Sequence, residues 1–296
     1  MSCFHPLYGY KSSSGKWLSK TNDLYAEPMT VPCGQCTGCR SEYSRQWALR
    51  NMHEASLYNN NCFITLTYNE KNLPQNNSLD KKAFPKFIRS LRQKNKGTKI
   101  RYYACGEYGD NFGRPHYHAI LFNYFPSDIK PLKKDLYTSK SISNAWRNKG
   151  HASVGMVTFQ SAAYVSNYIQ KKINGKQKLD HYAKYDKQTG ELISWREPEF
   201  SLMSRKDGIG KLWFDKYYKD IYQTGKDGLH MNGKFMKPPK YYDTKYKEDF
   251  PDLMEILKQN RIEKFEEIAH LFTPEALVAA EHTHKARMSL YKRKLK

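Results

Sequence analysis

The residues best placed to do chemistry lie in GEYGDNFGRPHYHAILF, residues 106–122. The run from His116 to Phe122 is apolar and aromatic, bounded by Gly113 and Pro115, and predicts a strand. Side chains of a strand alternate between faces, so His116 and His118 point the same way. Residues 100–107 also have strand character, and the cluster Gly109, Asp110, Asn111 and Gly113 predicts a turn between the two. Folding back there sets Glu107 opposite His116, and directly opposed residues of an antiparallel pair share a face. Two imidazoles and one carboxylate then converge, a ligand set that suits a divalent cation. A His-x-His pair alone is more often a hydrogen-bonded or half-exposed pair of strand residues; the carboxylate across the turn singles this one out.

A second stretch, SAAYVSNYIQKK at residues 161–172, reads as a helix capped by Ser161. Tyr164 and Tyr168 are four apart and share one face of it. A phenol with its ordinary pKa of about 10 is a poor nucleophile, so a catalytic tyrosine needs a cation or base beside it. A metal ion and Lys171 or Lys172 would serve. The plainer reading is packing, since the chain holds 23 tyrosines.

Cysteines form a third constellation. Cys33, Cys36 and Cys39 make a C-x-x-C-x-x-C run in which Gly34 and Gly38 let the sulfurs turn toward one centre, and Cys3 supplies a fourth thiol. Four thiolates suit a structural Zn2+, an iron–sulfur cluster fits the spacing too, and unmetallated thiols at a tight turn are the plain alternative. Cys62 and Cys105 fall in predicted strands and read as buried core thiols.

The elements that must position these groups follow from periodicity. Residues 41–57 read as a helix and Cys62–Tyr68 as a strand. In SLDKKAFPKFIRSLRQK, Phe84, Phe87, Ile88 and Leu91 follow amphipathic helical spacing, with Pro85 in the first turn, where it breaks no backbone bond. After the histidine hairpin come a helix over Ser139–Arg147, a strand over Ser153–Phe159 and the tyrosine helix. The order β-α-β-β-α-β, then α, predicts an α+β fold with the ferredoxin-like split arrangement, an antiparallel sheet with helices. Three regions result: a Cys-rich segment and helix at 1–57, a core at 58–175, and a polar, partly helical region at 176–296. Within that last region SWREPEFSLMSRKDGIG is expected to pack back on the core, and residues 211–223 and 251–272 have helical spacing.

Charge narrows the partners. The 296 residues carry a formal net charge of +21 with 14% aromatics, which points to a polyanion whose phosphates are neutralised and whose unpaired bases are stacked. Residues 81–101 hold nine Lys or Arg and no acid. Lys86, Arg89 and Arg92 on that basic helix, together with Arg114, are the candidate DNA contacts. KARMSLYKRKLK, residues 285–296, carries six bases and no acid and reads as a solvated arm adding nonspecific DNA affinity. No apolar run approaches the roughly 18 residues of a membrane span, and MSCFHPLYGY lacks a signal-peptide pattern. A cytoplasmic protein without membrane contact is expected.

Taken in order, CFITLTY at 62–68, RPHYHAILF at 114–122 and YVSNYIQKK at 164–172 resemble the motifs of the HUH endonucleases, in particular the two-tyrosine replication initiators of small circular single-stranded DNA phages. VPCGQCTGCRSEYSRQWALR at 31–50, ahead of those motifs, is similar to the start of the gokushovirus-type microvirus replication proteins. The resemblance covers about residues 1–175. It implies His116, His118 and Glu107 as ligands of Mg2+ or Mn2+, and Tyr164 and Tyr168 as nucleophiles. Asn167 stands where relatives often carry a basic residue, and Lys171, one turn on, is the candidate to take over its work. It further implies site-specific nicking and joining of single-stranded origin DNA through a 5′-phosphotyrosyl link, with host polymerase and helicase as partners in rolling-circle replication. Three other readings stay open: a related transposase, a non-enzymatic zinc-containing DNA-binding protein, and an iron oxygenase on the same two-histidine, one-carboxylate set. The oxygenase has no use for the tyrosine pair or the charge.

Overall fold

In a computed structural model of the chain, residues 3–109, 112–167, 177–186, 188–223, 227–231 and 233–290 are described. Three short strands come first, β1 (Leu7–Lys11), β2 (Trp17–Leu18) and β3 (Glu27–Val31), followed by the long helix α1 (Thr37–Ala55). Strand β4 (Asn61–Thr67), helix α2 (Ala83–Lys94) and the strands β5 (Arg101–Tyr108) and β6 (Pro115–Phe122) follow. Then come β7 (Ile129–Lys133), β8 (Leu136–Ser139), α3 (Lys140–Ala145), β9 (Ala152–Met156) and α4 (Phe159–Asn167). Beyond them lie α5 (Gln177–Tyr182), β10 (Ala183–Tyr185), β11 (Leu192–Trp195), β12 (Phe200–Met203), α6 (Lys211–Tyr222), β13 (Leu229–Met231) and β14 (Lys234–Met236). Helices α7 (Lys240–Asp249), α8 (Pro251–Ala269) and α9 (Pro274–Leu290) complete the order.

A seven-stranded antiparallel sheet in the order β12-β5-β6-β4-β9-β8-β7 organises the larger unit, Arg45–Tyr242. Its four central strands reproduce the expected split arrangement: β4 and β5, joined through α2, are separated in the sheet by β6, and β9 closes on the other side of β4. Two things were not legible in the residues. The β7–β8 hairpin is inserted before α3 and widens the sheet at one edge. At the other edge β12 pairs with β5, Phe200 opposite Gly106 and Met203 opposite Tyr103, so the boundary expected at residue 175 is crossed by ladder hydrogen bonds.

The sheet buries both faces, and strict alternation sorts the side chains. Cys62, Ile64, Leu66, Ala104, Tyr117, Ala119 and Leu121 face α2 and α3, where Phe84, Phe87, Ile88 and Leu91 pack on them. Phe63, Tyr103, Cys105, Ile120 and Phe122 face the other way, against Ala48, Met52 and Ala55 of α1 and Ala162 and Val165 of α4. Each fully buried large side chain contributes about 1.5–3 kcal/mol, so two closed layers hold the hairpin between them. Pro85 lies in the first turn of α2, as its missing N–H requires. Helix α4 begins earlier than expected and Ser161 is not its cap. Thr158 Oγ1 accepts from the Ser161 N–H at 3.1 Å, and Ser161 Oγ accepts from the Thr158 N–H at 2.8 Å, so Ser161 is the inner partner of a reciprocal cap.

The smaller unit comprises residues 1–44 and 243–296. It holds the sheet β2-β1-β3, the four thiols and the helices α8 and α9. His5 meets Glu281 of α9 at 2.8 Å, and Ser41 meets His284 at 3.1 Å. No helix among the described residues is long and apolar enough to cross a membrane.

Candidate active site

The β5–β6 register sets Glu107 directly opposite His116 and Cys105 opposite His118, so both imidazoles and the carboxylate share the sheet face covered by α4. The turn is closed by Gly109 N–H donating to the Arg114 carbonyl and Gly113 N–H to the Gly109 carbonyl, both at 2.9 Å. Gly113 sits at φ +57°, where a side chain is strained. Arg196 holds the turn from outside: its guanidinium donates to the Gly113 carbonyl at 2.5 Å and lies 3.8 Å over the Tyr108 ring. Gly109 matters for space, since a Cβ there would stand 3.0 Å from Cε1 of His116. The turn backbone thus lies against the first imidazole.

The rings of His116 and His118 are parallel to within 2°, their centroids 6.2 Å apart. His116 Nδ1 lies 2.6 Å from the Arg114 carbonyl, so Nδ1–H donates and Nε2 keeps its lone pair. Burial holds the His116 pKa below the ordinary imidazole value, which keeps the ring neutral at pH 7. His118 Nε2 lies 2.9 Å from Glu107 Oε1, with both side chains buried. On its other side His118 Nδ1 meets Thr65 Oγ1 at 2.9 Å, Thr65 being its direct partner on β4. The donor set fits a divalent cation: a neutral imidazole, a second imidazole oriented from behind by a hydroxyl, and a carboxylate on the same face.

Tyr164, half-buried on α4, presents its ring edge-on to His118 at 5.3 Å and 83°. Phe63 completes the wall, stacked on His118 at 5.9 Å and edge-on to Tyr164 at 6.2 Å. Sequence reasoning missed Thr65, Phe63 and Arg196. The first two sit in the quoted strand CFITLTY, whose alternation puts Phe63 and Thr65 on one face; nothing local marked Arg196. Tyr168, Lys171 and Lys172 lie outside the described residues.

The candidate DNA contacts are not gathered at this site. Lys86, Arg89 and Arg92 are exposed on α2, which packs on the opposite face of the sheet from His116 and His118. Arg92 also donates to the Ile100 carbonyl and, with Lys99, Arg205 and Lys206, lines an open cleft at the start of β5. Arg114 is nearer the hairpin, but its guanidinium is engaged with the Tyr68 carbonyl at 2.9 Å and with the Glu70 carboxylate.

The four thiols come together in the smaller unit, with every sulfur of Cys3, Cys33, Cys36 and Cys39 within 4.8 Å of the others. Among the described residues no other set of histidines, cysteines or carboxylates converges so closely. Burial raises the Cys36 thiol, but N–H donors from Phe4 and Cys39 outweigh it and bring it down to about 6. Cys62 and Cys105 are buried in the two faces of the large sheet, as expected of core thiols.

Comparison with known proteins agrees with this arrangement. The family model of the ORF2-type replication-associated proteins matches residues 61–173, which run from β4 through the hairpin to the end of α4 and just beyond. The replication-associated protein VP4 of Bdellovibrio phage phiMH2K is 31% identical over 266 residues, covering 85% of this chain and 79% of that protein. The replication-associated protein ORF2 of Spiroplasma virus 4 is 29% identical over 290 residues, 88% of this chain and 86% of its own. The replication-associated protein ORF4 of Chlamydia phage 1 is 31% identical over 154 residues, 48% of this chain and 38% of its own. No solved structure matches. Similarity that spans both the hairpin core and most of the remaining chain places this protein in the family of microvirus replication-associated proteins.

Proposed function

We propose that this chain starts rolling-circle replication by nicking single-stranded origin DNA with a tyrosine and later rejoining the cut end. The observation that carries the reading is the edge of Tyr164 lying 5.3 Å from His118, whose Nε2 is bonded to Glu107 on the same sheet face. His116, His118 and Glu107 would hold Mg2+ or Mn2+, which supplies Lewis acidity toward a nonbridging oxygen of the scissile phosphate. The Tyr164 phenol loses its proton to solvent, and its oxygen forms a bond to phosphorus. The bond from phosphorus to the 3′ oxygen breaks, and that oxygen takes up a proton to become the 3′-OH used by a host polymerase. A phosphodiester is exchanged for a 5′-phosphotyrosyl ester, so joining needs no nucleotide cofactor. Tyr168 is the second nucleophile of the same proposal, letting the enzyme cut a regenerated origin while still attached, with Lys171 near it to favour the phenolate.

Relatives whose names state replication support this reading over a transposase. A non-enzymatic DNA-binding protein would leave three ligand-type side chains aligned on one face without a task. The test is incubation with single-stranded oligonucleotides tiling the cognate circular genome plus Mn2+, followed by denaturing electrophoresis. A covalent adduct is expected with the wild type and none with the His116→Ala, His118→Ala double variant, which keeps most of its DNA affinity because backbone charge supplies it. Normal nicking by that variant removes the assignment.

A further inference from the structure

The nicking chemistry makes no use of the cysteines, and their role is independent of it. Cys3 is separated from Cys33 by 30 residues that fold into β1, β2 and β3. That sheet has almost no interior: between residues 4 and 32 only Ser12 is buried, while Leu7, Tyr8, Tyr10, Leu18, Leu24, Tyr25 and Met29 are exposed. Apolar burial cannot hold it, and small units short of a core need a covalent or metal staple. The sulfurs stand where such a staple would close, joining the entry to β1 with the first turn of α1.

The surroundings of the sulfurs say what would close it. Backbone N–H groups point at three of them: Cys33 N–H donates to Cys3 Sγ at 3.3 Å, Phe4 N–H to Cys36 Sγ at 3.3 Å and Cys36 N–H to Cys33 Sγ at 3.3 Å. Gln35 N–H adds a longer bond to Cys33 Sγ at 3.5 Å, and Cys39 N–H reaches Cys36 Sγ at 3.4 Å. Gly34, at φ +73° with open space around it, lets the Cys33–Cys36 knuckle turn so that these donors face inward. Donors arranged this way stabilise thiolates, and four thiolates this close repel unless a cation lies among them.

We propose that Cys3, Cys33, Cys36 and Cys39 bind one structural Zn2+ that holds the β1–β3 sheet against the start of α1. Zinc–thiolate bonds of about 2.3 Å put tetrahedral sulfurs about 3.8 Å apart, within the 4.8 Å spread of the four. An iron–sulfur cluster must spread its cysteines around several iron and sulfide atoms, wider than this spread permits. A single ferrous ion in the same site loses to zinc in the general order of affinities. With four protein ligands no coordination position is open, so this ion does no chemistry on substrate.

The test uses the full chain purified without chelators. Elemental analysis is expected to give one zinc per chain, and X-ray absorption a shell of sulfur neighbours at about 2.3 Å. The Cys33→Ser, Cys36→Ser double variant loses the zinc, while the His116→Ala, His118→Ala variant keeps it. Because a cysteine variant can fail for loss of folding, wild-type protein is also stripped with a strong chelator and reloaded. Stripping speeds proteolysis within residues 4–32 on the order of tenfold, and added Zn2+ reverses it. Iron in place of zinc, nitrogen or oxygen neighbours, disulfides, or metal-free thiols in fresh protein would each overturn the assignment. So would full zinc content in the double cysteine variant.

Discussion

Replacing Thr65 with Val tests whether the histidine hairpin is a metal site without relying on DNA cleavage. Thr65 Oγ1 is 2.9 Å from His118 Nδ1, and Val keeps the shape while removing the hydroxyl. When Nε2–H donates to Glu107, the hydroxyl must donate to Nδ1; when Nε2 offers its lone pair to a cation, Nδ1 carries the proton and the hydroxyl must accept. A hydroxyl can do either, and Val neither. Losing one such bond to a buried group costs about 1–3 kcal/mol. Groups that orient a metal-bound imidazole change metal affinity about 10- to 100-fold, or about 1.4–2.7 kcal/mol, so the two scales agree. Mn2+ binding, followed by the paramagnetic resonance of the free ion, should therefore weaken about 10- to 100-fold in Thr65→Val and recover in Thr65→Ser. Metal affinity unchanged in the Val variant, or equally reduced in the Ser variant, would refute the reasoning.

Other consequences are more direct. Glu54 and Arg101 form a buried pair at 2.5 Å, with Gly210 N–H on the second carboxylate oxygen; Glu54→Ala should cost about 3–5 kcal/mol in urea unfolding, and a surface-sized effect would mean the pair is solvated. His53, stacked on Trp213 at 3.5 Å, is held by burial at a pKa of about 3, below its unfolded value of about 6.5. The folded state therefore binds fewer protons, and stability is complete above pH 6.5 and lost as pH falls from there toward 3, at up to about 1.4 kcal/mol per pH unit for this one group. His53→Gln should flatten that slope between pH 6.5 and 5, and an unchanged slope would assign it elsewhere. Tyr164→Phe and Tyr168→Phe should each still form some adduct on a short oligonucleotide yet fail to make circular single strands, while the double variant forms none. Mass spectrometry placing an adduct on another residue of the double variant would reassign the nucleophile.

Local periodicity carried a great deal of this protein. Alternation was enough to place His116 and His118 on one face, and the glycine-rich turn was enough to set Glu107 opposite His116, because a hairpin register is decided by residues adjacent in the chain. The apolar spacing of α2, the position of Pro85 and the closeness of Cys33, Cys36 and Cys39 are legible for the same reason. Tertiary structure decided what depends on which element crosses to which side. Only the packed sheet shows that Lys86, Arg89 and Arg92 lie on the layer opposite the histidines, since their helix pattern states that one side is buried but not against which face. Only strand pairing brings Thr65 to His118 and β12 to the edge of β5, partners 53 and about 100 residues apart in the chain, which no local pattern can encode. Arg101 is the sharpest instance. In the sequence it is one of nine bases in a run that reads as a phosphate-binding surface, and in the fold it is buried against Glu54, where its charge holds the start of the strand that carries Glu107.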